Sequence, residues 1–366
     1  MTGRRPPKTR VWDNSHSTDF RIEGKGDPGA WRTMPGYFKD EAGLTTIGGG
    51  KTFHPNNPPN FDGNKSWNNS FVEYFPFDYY LKDEHCPNHD KHSKAGGFEA
   101  SDIDTWCVLE QPDENFYDWR LANHTITALH KAKAAGRPFA VFNGFARPHV
   151  PLRVPQRIWD MYGPANDSSG IQEVKYPDLS EGYPPIAYHR QGHYKYNNYT
   201  VPTLPNEIYT SNFTEVTVPL DIQRTVRRAY YASVTWMDEQ LGRILDTLDE
   251  LGLADDTAVV LHGDHGFSLA ESNEYFKEQL SEIVARVPLI VRAPWKPQTA
   301  GRATFVKANL VDLYQTLAEL IGGPVPSQVA DLDGTSLAWV FENPEHSVPL
   351  LEARGAAASR EHANKA

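Results

Sequence analysis

Apolar residues in this chain come in short, dense runs separated by stretches rich in Pro, Asn, Gly and Tyr. The run Thr257 to Leu261 is too short for a helix, rich in β-branched residues and bounded by polar positions, which predicts a buried strand of a parallel sheet. Leu44 to Ile47, Pro138 to Asn143 and Val287 to Val291 read as further strands. Helices are predicted from Trp31 to a stop at Gly43, over Asp118 to Ala135, and most clearly over Asp221 to Leu251. In the last of these Val234, Met237, Leu241, Ile244, Leu245 and Leu248 fall on one stripe, and Gly252 ends it. Leu310, Leu313, Leu317, Leu320 and Ile321 mark another helix, ending at Gly322. Residues 56–112 and 163–218 read as long loop insertions. Alternating strands and helices imply an α/β fold, with a mostly parallel central sheet flanked by helices.

Length and charge narrow the class. A chain of 366 residues exceeds the size at which single cores stop growing, so one α/β domain over 1–340 carrying the 56–112 insertion is expected, with 341–366 as a disordered tail. Lys+Arg 36 against Asp+Glu 47 gives −11, which argues against general nucleic-acid binding but leaves room for an anion in a locally cationic cleft. No apolar run is long enough to span a membrane. Asn-x-Ser/Thr sequons begin at Asn64, Asn68, Asn123, Asn166, Asn198 and Asn212, a density that fits a glycosylated secretory or lysosomal protein. In that setting Cys86 and Cys107, the only cysteines, can form a disulfide; zinc bound by Cys86, His85, His89 and His92 is the lesser alternative.

The candidate chemistry sits where strands end. Ligands of open α/β sheets bind beyond the carboxyl ends of the strands. Lys51 and His54 follow the first strand, His149 the second, and Asp264 with His265 the third; Lys277 lies on a further loop. Taken singly, each reads as readily as a solvated lysine or a loop histidine. Jointly, two lysines and two histidines around an acid suit a doubly charged oxyanion held against a metal.

These residues resemble the sulfatase family of the alkaline-phosphatase superfamily, and within it the iduronate-2-sulfatase branch. The matching segments are Thr2 to Pro6, Gly50 to Pro55, Arg147 to Leu152, Gly182 to Tyr188, Tyr231 to Val234 with Met237 and Asp238, Gly263 to Gly266, Val287 to Ile290 and Val311 to Leu313. They run in family order to about Leu337. His265 after the acid is the most specific, because most sulfatases carry Asn there. The resemblance implies hydrolysis of sulfate esters of glycosaminoglycan uronates, as in heparan and dermatan sulfate, by a formylglycine nucleophile beside a calcium ion. It makes Asp264 and His265 metal ligands and Lys51 and Lys277 sulfate-binding residues. His54 would orient or deprotonate the nucleophile, and His149 would contact the ester.

The chain also departs from the family pattern. The family's Cys/Ser-x-Pro-x-Arg motif precedes the Thr2-Gly3-Arg4-Arg5-Pro6 segment, and neither Cys86 nor Cys107 stands in that context. The resemblance therefore leads to the expectation of a fragment. It would lack the nucleophile, an early Asp pair, the first sheet strand and much of a C-terminal subdomain, and its activity would be negligible. A catalytically dead paralogue that binds sulfated glycans is the alternative, motivated by Ala270-Glu271-Ser272-Asn273 where the family has Gly-Glu-His-Gly.

Overall fold

The computed structural model describes residues 1–12, 19–24, 28–55, 57–77, 106–163, 170–177, 195–196, 199–200, 220–277, 279–343, 345 and 347–349. The fold is built on strand β1 (Thr45–Gly50), buried along its whole length. It pairs in parallel with β2 (Phe75–Pro76) on one side and with β4 (Phe139–Gly144) on the other. Glycine is required where β1 ends: Gly50 has φ +71°, and a Cβ there would lie 2.0 Å from the Gly144 carbonyl oxygen. That contact brings the ends of β1 and β4 together and sets where Lys51 leaves the sheet.

Helices cover both faces of the sheet. On one face lie α1 (Met34–Asp40), capped by the Thr33 hydroxyl accepting from the Gly36 amide, and α4 (Leu313–Leu320). On the other lie α2 (Tyr117–Ala135), closed by Gly136 in the left-handed region, and α3 (Leu220–Glu250). Strand side chains alternate between these layers. Ala140 and Phe142 of β4 and Val260 of β6 (Val259–His262) pack with Met34, Tyr37 and Leu317, while Phe139, Val141 and Val259 pack with Leu129 and Leu248.

The strands around Val141 and Val260 depart from the pattern expected of them. Both read as fully buried, yet β4 and the apolar part of β6 are half-buried. The reason is pairing. β6 bonds only to the antiparallel β9 (Leu289–Arg292), with Leu289 opposite His262. Among the described residues no strand pairs with the second edge of β6, or with the edge of β4 away from β1. The two strands share helical layers without bonding to each other.

Two other readings change. The 56–112 insertion is not all loop, since it supplies β2 and β3 (Trp106–Leu109), and β3 runs parallel to β5 (Leu152–Pro155). On α3, Val234 is 38% exposed, and the buried face carries Val226, Ala229, Ala232, Ser233, Trp236 and Gln240. Small residues let the helix approach β5, with Trp236 packed among Phe116, Leu152 and Val154. Arg228, fully buried, lies 4.1 Å from the Trp159 ring centroid, so a stripe read from apolar residues alone could not find this face. A short hairpin follows β6, made of β7 (Ser268–Leu269) and β8 (Tyr275–Phe276). Ser347–Pro349 pairs with Arg302–Thr304 inside the stretch expected to be a tail. Residues 350–366, like Cys86, Asn166, Asn198 and Asn212, lie outside the described residues.

Candidate active site

Lys51 is the first residue past β1, and its amide donates to the Gly144 carbonyl at 2.7 Å. Its ammonium sits 5.9 Å from the centroid of Phe77. The loop after β4 is held from below by Asp118, in the first turn of α2. This buried carboxylate accepts from the amides of Ala146 at 2.7 Å and Arg147 at 3.1 Å. The Arg147 guanidinium donates to the Arg153 carbonyl at 2.9 Å. His149 is fixed between these anchors.

The three site imidazoles are oriented in the same way. Nδ1 donates to the next residue's carbonyl: His54 to Pro55 at 3.1 Å, His149 to Val150 at 2.6 Å and His265 to Gly266 at 2.8 Å. A carbonyl can only accept, so Nδ1 carries a proton in each ring, and the neutral form accepts at Nε2. The Lys277 ammonium therefore donates to His149 Nε2, at 3.3 Å.

Electrostatics ties these groups into one cluster. Burial, reinforced by the Lys277 charge and opposed by Asp264, brings Lys51 down from its ordinary 10.5 to about 8. Burial also holds His149 well below 6.5, with Lys51 and Lys277 pushing in the same direction. His54 is lowered by burial and by the same two lysines. Lys51 and His54 from the loop after β1, His149 from the loop after β4 and Lys277 from the segment after β8 thus lie within electrostatic reach of one another, and Asp264 acts on Lys51.

Asp264 is the most open of the set, its side chain 68% exposed, with Oδ2 3.6 Å from His265 Nε2. A carboxylate and an imidazole lone pair on one side can serve a cation. A calcium shell needs six to eight oxygens, however. Among the described residues no group of three or more His, Cys, Asp or Glu is arranged to hold a metal. The donors present therefore do not fit a complete calcium site.

The remaining candidates are structural or peripheral. Cys107 is disulfide-bonded. The Asn64 side chain is exposed. Asn68 accepts from the Thr46 amide at 2.8 Å and hydroxyl at 3.0 Å, bracing β1, and Asn123 accepts from Arg243. Sequence reasoning missed Asp118, Phe77 and Tyr230. Tyr230, stacked on Phe267 at 5.2 Å, is pushed up to about 12 by burial and by the charges of Asp264 and Glu271. An acid in a helix's first turn was the one available signal for Asp118.

The sulfatase family model matches residues 1–323. The chain belongs to the sulfatase family. It is 30% identical over 357 residues to iduronate 2-sulfatase of Homo sapiens, and 31% identical to that of Mus musculus. Each alignment covers 89% of this chain, but only 60% and 59% of those proteins, so the chain spans about three fifths of the relatives' length. A solved structure of BT4656 with its substrate D-glucosamine-2-N,6-O-disulfate superposes with a TM-score of 0.60 at 20% identity, covering 93% of this chain and 69% of that one. At that identity the likeness concerns the fold. No helix among the described residues is long and apolar enough to cross a membrane.

Proposed function

We propose that this sulfatase acts on sulfate esters of a glycosaminoglycan uronate, in the manner of iduronate 2-sulfatases, in a lysosomal or secreted setting. The observation that carries the reading is the pairing of Lys277 with His149 at 3.3 Å, under the charge of Lys51. A sulfate ester carries one negative charge, and hydrolysis releases a dianion. Two ammonium groups in a water-poor pocket favour the state with more negative charge. Lys51 and Lys277 hold the sulfuryl oxygens as point charges. His149 Nε2 anchors the Lys277 ammonium, which is placed to hold a proton beside the departing ester oxygen. On this reading His54 acts as the base. The family's formylglycine would be the nucleophile on this reading, and calcium is implied by the resemblance alone.

A second reading is favoured by the loop Ala270-Glu271-Ser272-Asn273, which differs from the family's run and whose Glu271 is taken up by Arg227 at 2.9 Å. On that reading the pocket binds sulfated glycans without turnover. Measuring inorganic sulfate released from a 2-O-sulfated uronate disaccharide separates the two. Turnover lost in Lys277→Ala supports hydrolysis. Saturable binding with no sulfate released supports the binding reading, and absence of both overturns the shared sulfate pocket.

A further inference from the structure

Lys277 leaves the β7–β8 hairpin through a strained stretch of backbone. Ala270 has φ +86°, Ser272 +52°, Asn273 +54° and Phe276 +69°. Asn tolerates the left-handed region, but a bulky residue such as Phe is an outlier there. Such conformations persist only where the surroundings over-determine them. Phe276 directly precedes Lys277, so its φ sets the direction in which the lysine departs. Its buried ring meets Phe267 edge-on at 5.4 Å, and Phe267 in turn stacks on Tyr230 of α3.

The hairpin is held at Leu269, which pairs with Tyr275 across the two strands. Glu271 Oε2 accepts from the Leu269 amide at 2.6 Å, and Oε1 accepts from Arg227 Nη1 at 2.9 Å. The same Nη1 reaches the Leu269 carbonyl at 3.3 Å, so both backbone groups of Leu269 are gripped by one ion pair. Arg227 is itself fixed to other elements. Its Nε donates to the Gln172 carbonyl and its Nη2 to the Tyr231 hydroxyl, each at 2.9 Å. A planar fork of donors suits this task, where a lysine could supply only a point charge. Beyond Lys277, the buried Gln279 closes the bracket: it accepts from the Ser268 hydroxyl at 2.8 Å and donates to the Tyr275 carbonyl at 2.9 Å.

We propose that Glu271, held by Arg227, is a positioning residue for Lys277: by fixing Leu269 it keeps the hairpin in the one shape that delivers the ammonium to His149 Nε2 at 3.3 Å. The role rests on the reading of Lys277 as a sulfate-holding residue and adds what holds that lysine in place. It acts through the hairpin backbone, not by touching the anion.

Nitrogen NMR of the whole chain carrying isotope-labelled histidine, at neutral pH, tests it, with the His149 signal assigned through His149→Asn. In Glu271→Ala the Nε2 resonance is expected to move toward its position in Lys277→Ala, and inorganic sulfate binding to weaken about tenfold, as when a supporting partner of a binding group is removed. Leu317→Ala, a cavity in the layer on the opposite face, should lower stability without moving the signal. Arg227→Met combined with Glu271→Met removes both charges together, so it should regain stability over Glu271→Ala while the signal stays displaced; this double variant carries the test if Glu271→Ala does not fold. A signal at the parent position in Glu271→Ala or in the double variant overturns the proposal. So does an equal displacement in Leu317→Ala, which would mean that any loosening has the same effect. Displacement in Glu271→Ala in a protein that binds no sulfate would instead remove the sulfate reading and leave the positioning role standing.

Discussion

At the scale of single residues, Lys51 shows how the site trades stability for binding. Its pKa falls from 10.5 to about 8 on folding, so the folded state disfavours its charge. That penalty is fully present below pH 8, shrinks between 8 and 10.5, and vanishes above. Lys51→Met is therefore expected to raise the melting temperature in sulfate-free buffer near neutral pH, with the difference closing as pH approaches 10.5. A variant less stable than the parent at neutral pH would contradict this. Asp118 carries the opposite cost. Asp118→Asn keeps one acceptor oxygen but sets an NH2 against the other backbone donor, and about 2 kcal/mol of stability should be lost in urea melts. A loss below the error of the fit would show that Ala146 and Arg147 do not depend on it. Lys51, His149 and Asp264 were legible in the sequence because each follows a short apolar run at a strand end. Asp118 was not, because the amides it serves lie about 28 residues further on and no local pattern joins them.

At the scale of elements, burial separates what the pattern could and could not give. The helix expected over Asp118 to Ala135 is found at Tyr117–Ala135, where Gly136 closes it. The buried face of α3 was not readable in the sequence, because it carries Arg228, Ser233 and Gln240 among its alanines. Trp236→Ala should cost about 3–5 kcal/mol, since it empties a fully buried site against Phe116 and β5; a denaturation midpoint that does not move would argue against that packing. Strand composition alone also could not tell a doubly paired strand from one with a bare edge. β1 carries a single large apolar residue, Ile47, and β4 carries Phe139, Val141 and Phe142, yet only β1 has a partner on both sides among the described residues. Amide exchange should therefore be uniformly slow along β1, whereas in β4 slow amides facing β1 should alternate with faster ones facing away. Uniform protection along β4 would mean that its second edge is covered.

At the scale of the whole molecule, the α/β framework and the order of the motif-bearing loops were legible, and the fold brings those loops to one end of the sheet. The metal role expected of Asp264 and His265 finds no third donor beside them among the described residues. On the proposed reading Lys51, Lys277 and the histidines form one anion pocket. Calorimetric titration of inorganic sulfate into the whole chain at low ionic strength tests it most directly. One saturable site is expected, weakened at least about tenfold in both Lys51→Ala and Lys277→Ala and fading as pH rises past about 8, where Lys51 loses its proton. Sulfate that fails to bind, or binds both variants as tightly as the parent, would contradict it.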